Sequence, residues 1–211
     1  MTTTVHKVTC FVTRKAAHST DLLLFNHPHV GVQIPAGTVN PGENIEAAAR
    51  REAAEETGLN SLILVRKIAE ADDPPPDGFL VTAQPTVVYS RPDLHSMDWA
   101  HFRTGLPVEV LRHAEGFTQV RYVEDDRYID PQYTSYNITG WVPDEVLTNR
   151  RMRHFFLFRA SGRLPDRWEV PVDYTTFELF WAPLDNLPLI VSPQDGWLKW
   201  LTKIKSDLTL Q

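Results

Sequence analysis

The chain has 211 residues, with 27 acidic against 21 basic side chains and a formal net charge of −6. That length suits one large or two modest domains, and the acidic balance argues against strong sequence-independent nucleic-acid binding, which needs a cationic surface along the phosphates. A lone cysteine, Cys10, excludes an intramolecular disulfide framework and a cysteine zinc site.

Residues 8–13 and 22–25 read as strands divided by a polar turn, and Cys10, inside an apolar run, reads as a buried core residue. His27-Pro28-His29 reads as a turn between strands rather than a metal site, because its proline forces a bend. Residues 32–34 lead into a glycine loop. No apolar run approaches the roughly 18 residues a membrane helix needs, and the N-terminus lacks a signal-peptide stretch. A cytoplasmic protein with no membrane span is therefore expected.

Residues 37–59, GTVNPGENIEAAARREAAEETGL, hold the densest chemical signal. Gly37 and Gly42 bracket a loop containing Pro41, and Ile45, Ala48, Ala49 and Ala53 give the following helix a small-residue face that can pack closely on a sheet. Gly58 stands where a left-handed residue would end that helix. Glu52, Glu55 and Glu56, at i, i+3 and i+4, share one helical face and pool three carboxylates, so they need a counter-charge. A solvated Glu-rich surface is the bland alternative. The pinned acidic helix also suits Mg²⁺, which takes oxygen ligands, keeps several waters and is shared between a few carboxylates and substrate phosphates.

The segment resembles the Nudix box, Gly-x5-Glu-x7-Arg-Glu-U-x-Glu-Glu-x-Gly-U, where U is a bulky aliphatic residue. Gly37, Glu43, Arg51, Glu52, Glu55, Glu56, Gly58 and Leu59 fill its fixed positions, with Ala53 a small replacement at the first U. The resemblance implies hydrolysis of a nucleoside diphosphate linked to another moiety, water attacking phosphorus with Mg²⁺ or Mn²⁺ as cofactor. It makes Glu52, Glu55 and Glu56 metal ligands, with one of them or a later glutamate as base. Arg51 would orient the carboxylates and share in catalysis with Glu52 and Glu55, while Glu43 would brace the loop. Gln33-Ile34-Pro35-Ala36-Gly37 resembles the Leu-Pro-Ala-Gly of the ADP-ribose pyrophosphatase branch, which makes the Ala36 carbonyl a metal ligand and a nucleotide sugar such as ADP-ribose the favoured substrate.

Residues 61–69 read as a further strand, after which the acidic, proline-rich stretch 72–78 breaks regular structure. Residues 105–111, 116–122 and 139–147 are then short alternating strands. Their phrases resemble a bacterial SH3-like barrel, opening with Val88 to Pro92 as first strand and loop and carrying an unusually long acidic excursion over 124–136. Beyond it, 155–159 and 177–182 read as strands and 196–205 as a helix whose Trp197 and Trp200 belong to a core. Residues 177–188 resemble the late strand and turn of Nudix proteins. The expected architecture is thus α+β: a Nudix α/β/α sandwich with a mixed sheet, over 1–78 and 149–211, interrupted at 79–148 by the SH3-like barrel. Such an insertion is tolerable at an exposed loop.

Glu169 and Glu178 are weighed as additional carboxylates, with Glu178 placed on an exposed strand face, and Trp141 and Tyr133 are weighed as stacking residues without being assigned to the site. Three function classes stay open: a Nudix pyrophosphohydrolase, a noncatalytic nucleotide sensor on the same scaffold, and an interaction protein acting through the barrel. A homodimer is compatible with all three.

Overall fold

A computed structural model of the chain describes residues 3–16, 19–126, 133–162, 164–172 and 175–204. Residues 127–132 of the acidic excursion, the Tyr133 side chain and Lys205 of the expected last helix lie outside the described residues. The elements in chain order begin with β1 (Val5–Lys15), β2 (Thr20–His27), β3 (Gly31–Gln33), β4 (Ala36–Thr38), α1 (Ile45–Thr57) and β5 (Ile63–Asp72). Next come β6 (Phe79–Thr82), β7 (Thr86–Tyr89), β8 (Asp98–Phe102), β9 (Pro107–Ala114), β10 (Phe117–Asp126), β11 (Tyr133–Pro143) and β12 (Leu147–Thr148). The chain closes with β13 (Arg151–Arg159), β14 (Arg167–Val172), β15 (Thr175–Pro183) and α2 (Leu198–Thr202).

One sheet has the order β14-β15-β2-β1-β13-β5, with β3 added to β2 and β4 to β1. β1 pairs antiparallel with β2, as do β2 with β15 and β15 with β14. Val5 N–H donates to the Arg150 carbonyl and Ala160 N–H donates to that of Thr13, so β13 runs parallel to β1 and the sheet is mixed. β1 is buried on both faces through its middle, as a central strand covered on two sides must be. Val8, Cys10 and Val12 join a core with Ala48, Ala49 and Ala53 of α1, while Phe11 stacks on Phe155, against which Trp197 and Trp200 pack. The three alanines are wholly buried and let the helix approach the sheet closely.

The last helix is shorter than the expected 196–205. A 3₁₀ turn, Gln194–Trp197, precedes the five-residue α2. Gly196 inside that first turn is a poor helix former, and its N–H bonds back three residues to Pro193. The expected tryptophan face is nonetheless the one that packs on Phe155. The sequence reading misses strands β4, β8 and β14. β4 is only three residues long and β8 and β14 lie at sheet edges; β14 does alternate, with Trp168, Val170 and Val172 packed against the core, over a run of six residues interrupted by Pro171.

A second sheet has the order β12-β6-β9-β10-β11-β7-β8. β9 and β10 form a hairpin through Glu115 and Gly116, both at positive φ (54° and 80°), the arrangement that matches the twist of paired strands. Val88, Phe102, Leu106, Val108, Val120, Val142, Val146 and Leu147 form its own core. Trp141 is buried, with the Arg112 guanidinium 5.1 Å over its ring, a core position rather than an open stacking platform. Contacts divide the described chain into two compact units, one of 1–7, 40–42 and 71–153, the other of 8–39, 43–70 and 154–211.

Candidate active site

The acidic helix is fixed at both ends. Asn44 caps its start by accepting from Glu46 N–H (2.9 Å) and Ala47 N–H (3.3 Å), satisfying donors that the first turn leaves orphaned. Gly58 ends it at φ 69°, in the left-handed region that a β-carbon disfavours, and donates to the Ala54 carbonyl at 2.8 Å. The free carbonyl of Thr57 accepts from Trp168 Nε1 at 2.8 Å, so a β14 side chain that sequence reading missed seals the helix end. On the sheet side, the Cys10 thiol donates to the Ala49 carbonyl at 3.3 Å, and its burial and the nearby Glu56 hold it un-ionised, a structural residue.

Facing this helix is the segment that leads into the glycine loop. Pro35 gives its carbonyl to Cys10 N–H at 2.8 Å and Ile34 N–H donates to Gln194 Oε1 at 2.6 Å, so the backbone around Ala36 is held from two sides. The Glu52 carboxylate rests on the α-carbon of Gly37. A β-carbon there would lie 1.9 Å from Glu52 Cδ and 2.1 Å from both oxygens, which is the reason for glycine at this position. Glu56 reaches the same segment, its Oε2 accepting from Ala36 N–H at 2.8 Å. Gly37→Ala is therefore expected to keep the fold but expel Glu52 from its seat, lowering turnover about 100-fold at a stability cost of about 1–2 kcal/mol; steady-state kinetics beside a denaturant melt checks both.

Arg51 is the hub. Its Nε and Nη2 donate to the two oxygens of Glu43 at 2.9 Å each, Nη1 to Glu52 (2.9 Å) and Glu55 (3.0 Å), and Nη2 also to the Thr38 carbonyl (3.0 Å). The fork on Glu43 is the bidentate geometry in which guanidinium and carboxylate bind most strongly. The bonds that Arg51 donates to Glu43 chiefly hold the guanidinium in its charged form, well above the ordinary arginine range.

One guanidinium does not neutralise this site. Burial pushes the Glu52 carboxyl up, opposed by its bond from Arg51. Burial pushes Glu56 up further, to about 8, against the single backbone N–H of Ala36, with the charges of Glu52 and Glu55 adding to the rise. Glu55 remains half exposed.

Part-buried carboxylates, with no cationic partner of Glu56 among the described residues, are a donor set that suits a hard divalent ion. The oxygens of Glu52, Glu55 and Glu56 and the backbone at Ala36 lie about one helix face and one loop, and an ion that keeps several waters needs few protein ligands. Among the described residues no three acidic, histidine or cysteine side chains already converge as a closed cage. Arg51 holds Glu52 and Glu55, and Glu56 is hydrogen-bonded to the loop.

Glu178 and Glu169 stand apart from this face. Phe177 and Leu179 of β15 point into the core under α1, so strand alternation puts Glu178 on the opposite face, where it accepts from Arg167 at 2.8 Å. Glu169 is exposed. His27 accepts from His29 N–H at 3.2 Å across the Pro28 turn, and His154 is buried 3.5 Å from Glu70. Asn44, Thr38 and Trp168 were not foreseen as parts of the site; only Asn44, a capping residue ahead of a helix, carried a readable signal.

Residues 4–99 match the family model of the NUDIX domain. No curated protein matches the chain in sequence. Among solved structures, a C. elegans Ap4A hydrolase binary complex is 15% identical, with a TM-score of 0.48, covering 97% of this chain and 99% of its own. The NUDIX domain of Shewanella oneidensis NrtR complexed with ADP ribose is 10% identical, TM-score 0.43, with 96% and 89% covered. A NUDIX hydrolase from Nitrosomonas europaea is 14% identical, TM-score 0.40, with 96% and 90% covered. These likenesses lie below the similarity that implies a shared fold.

The matched stretch holds the whole acidic helix and its loop, runs on into β6–β8, and stops short of β13–β15, which complete the sheet beneath the helix. No described helix is long and apolar enough to cross a membrane. Over residues 4–99 the chain matches the NUDIX domain model, and with the acidic helix intact that match supports a hydrolase acting on pyrophosphate bonds.

Proposed function

We propose that the chain is a divalent-metal-dependent pyrophosphohydrolase that cleaves a nucleoside diphosphate linked to another moiety, with an ADP-ribose-type nucleotide sugar as the first candidate substrate. The observation that carries the reading is the convergence of Glu52 on Gly37 and Glu56 on Ala36 N–H, which brings two part-buried carboxylates to one short loop beside Arg51. The likeness of Ile34-Pro35-Ala36-Gly37 to the ADP-ribose pyrophosphatase phrase supports the substrate candidate.

Glu52, Glu55, Glu56 and the Ala36 carbonyl would hold Mg²⁺ or Mn²⁺, which when bound neutralises diphosphate oxygens and lowers the barrier to attack by water. Glu52 or Glu55 accepts the proton of the attacking water. Arg51 is a positioning residue: bonded to Glu43, Glu52, Glu55 and the Thr38 carbonyl, it locks helix and loop in one register and fixes the direction of both carboxylates. Glu43 anchors that guanidinium, and Gly37 and Gly58 supply the close approach and the helix end that the arrangement needs. We further assign the second sheet, β6 to β12, as an SH3-like barrel inserted between β5 and β13; its separate core supports this.

The test is phosphate-coupled turnover with Mg²⁺ or Mn²⁺ of ADP-ribose, ADP-glucose, NADH, diadenosine polyphosphates and nucleoside triphosphates. Metal-dependent release from a nucleotide sugar is expected. Silence across the panel, with nucleotide-induced stabilisation intact, would replace the enzyme with a sensor.

A further inference from the structure

Away from the acidic helix, three short segments enclose an open cavity of about 510 Å³ lined by Thr4, Asp72, Pro74, Asn149, Arg150, Arg151 and Met152. That volume lies in the range of small-molecule sites. The walls are tied by backbone bonds from Val5 N–H to the Arg150 carbonyl (3.0 Å) and from Asp73 N–H to the Arg151 carbonyl (2.8 Å), so the cavity is preformed.

Its charge is unusual for an acidic chain. The Asp73 carboxylate is shared by two guanidiniums, Arg151 Nε at 3.0 Å and Arg153 Nη2 at 2.9 Å. Arg153 is buried, whereas Arg151 lines the cavity. Both contacts of Arg151, to the Asp73 carboxylate and to its carbonyl at 2.5 Å, use Nε. Its two terminal amino groups, four N–H donors, have no protein partner among the described residues, on a side chain held in place and only 15% exposed. Beside it, Arg150 is exposed and its guanidinium makes no ion pair among the described residues. Three guanidiniums thus meet two carboxylates, Asp72 and Asp73.

A fixed guanidinium with its terminal donors unused, next to a second free one, is the arrangement that receives a phosphate by paired charge-assisted hydrogen bonds. Asp72, Asn149 and Thr4 offer acceptors and donors for hydroxyl groups on the same ligand. The geometry points to a binding site for a phosphate monoester of a sugar or nucleoside, with Arg150 and Arg151 on the phosphate and Asp72 and Asn149 on the sugar hydroxyls.

The test uses the full-length protein in EDTA, which keeps metal-dependent binding at the acidic helix out of the measurement. Ribose 5-phosphate and AMP are titrated by calorimetry, with ribose, adenosine and sulfate as controls. Both esters are expected to bind and the controls not, with Arg150→Glu weakening ester binding at least 10-fold, Asn149→Ala weakening it several-fold and Glu56→Gln leaving it unchanged. Equal affinity in Arg150→Glu, equal binding of ribose or adenosine, equal binding of sulfate, or loss in Glu56→Gln alone would each overturn the assignment. Because turnover is not the readout, failure here leaves the hydrolase reading standing, and failure of turnover leaves this site standing.

Discussion

Replacing Glu56 with glutamine is expected to stabilise the metal-free protein at pH 8 by a few kcal/mol while lowering metal-dependent turnover at least 100-fold. Glu56 ionises near its ordinary value of 4.5 when unfolded, but burial raises it to about 8 in the folded chain. Between those values the folded state holds a proton that the unfolded state has released. Stability must therefore fall as pH rises through this window, by up to about 1.4 kcal/mol per unit, and level off above about 8. Glutamine keeps an oxygen to accept from Ala36 N–H and carries no charge to bury, so that part of the slope disappears.

Thermal melts in EDTA at pH 5 and pH 8 measure the effect. Near pH 5 the two proteins should nearly coincide; at pH 8 the variant should melt roughly 5–15 °C higher. Glu52, raised in the same direction, leaves a residual slope in both proteins. Mg²⁺ should stabilise the parent and barely affect the variant, because a cation beside Glu56 removes the cost that glutamine removes by another route. Equal melts at pH 8 would mean that Glu56 is not buried as a charge, and would remove the physical case for a cation there. A residue that weakens the resting protein and is indispensable to its turnover is the expected signature of a functional carboxylate rather than a surface one.

The helix and its acidic face were legible because local chemistry dictates them. Alanine spacing, the i, i+3, i+4 carboxylates and the terminal glycine act within one element and need no knowledge of the rest. The long apolar strands β1, β2, β13 and β15 were legible for the same reason. What sequence could not supply was contact at a distance: Trp168 closing the helix from β14, or Gln194 holding Ile34 from 160 residues away. Nor could it say which way Glu178 faces, since alternation fixes two faces without naming them; the burial of Phe177 and Leu179 under the helix decides it. The reason for Gly37 was likewise invisible. A glycine beside a loop suggests backbone freedom, whereas here it is the room for the Glu52 carboxylate that matters. The basic cavity was the least legible, since Asp73 sits in a stretch that reads as a breaker and its two arginines follow about 80 residues later.

Arg51→Ala is expected to be the most damaging single change in the helix, costing about 3–4 kcal/mol of stability and at least 100-fold in turnover. The cost comes less from the lost ion pairs than from what they leave behind. Glu43 and Glu52 are only 18% and 13% exposed, and without the guanidinium two partly buried carboxylates face each other with no counter-charge. The Thr38 carbonyl loses its Arg51 donor as well. Lysine preserves the charge but not the fork, so Arg51→Lys should recover less than half of the stability. The decisive comparison is the double variant Arg51→Ala with Glu43→Gln. If Glu43 is the principal partner, removing its charge should return 1–2 kcal/mol in denaturant melts, a coupling far larger than exposed pairs show. Turnover should not return with it, because Glu52 still lacks the bond that aims it. Recovery of both together would make Arg51 a purely structural residue; recovery of neither would mean that the Glu43 fork is not what holds the loop to the helix.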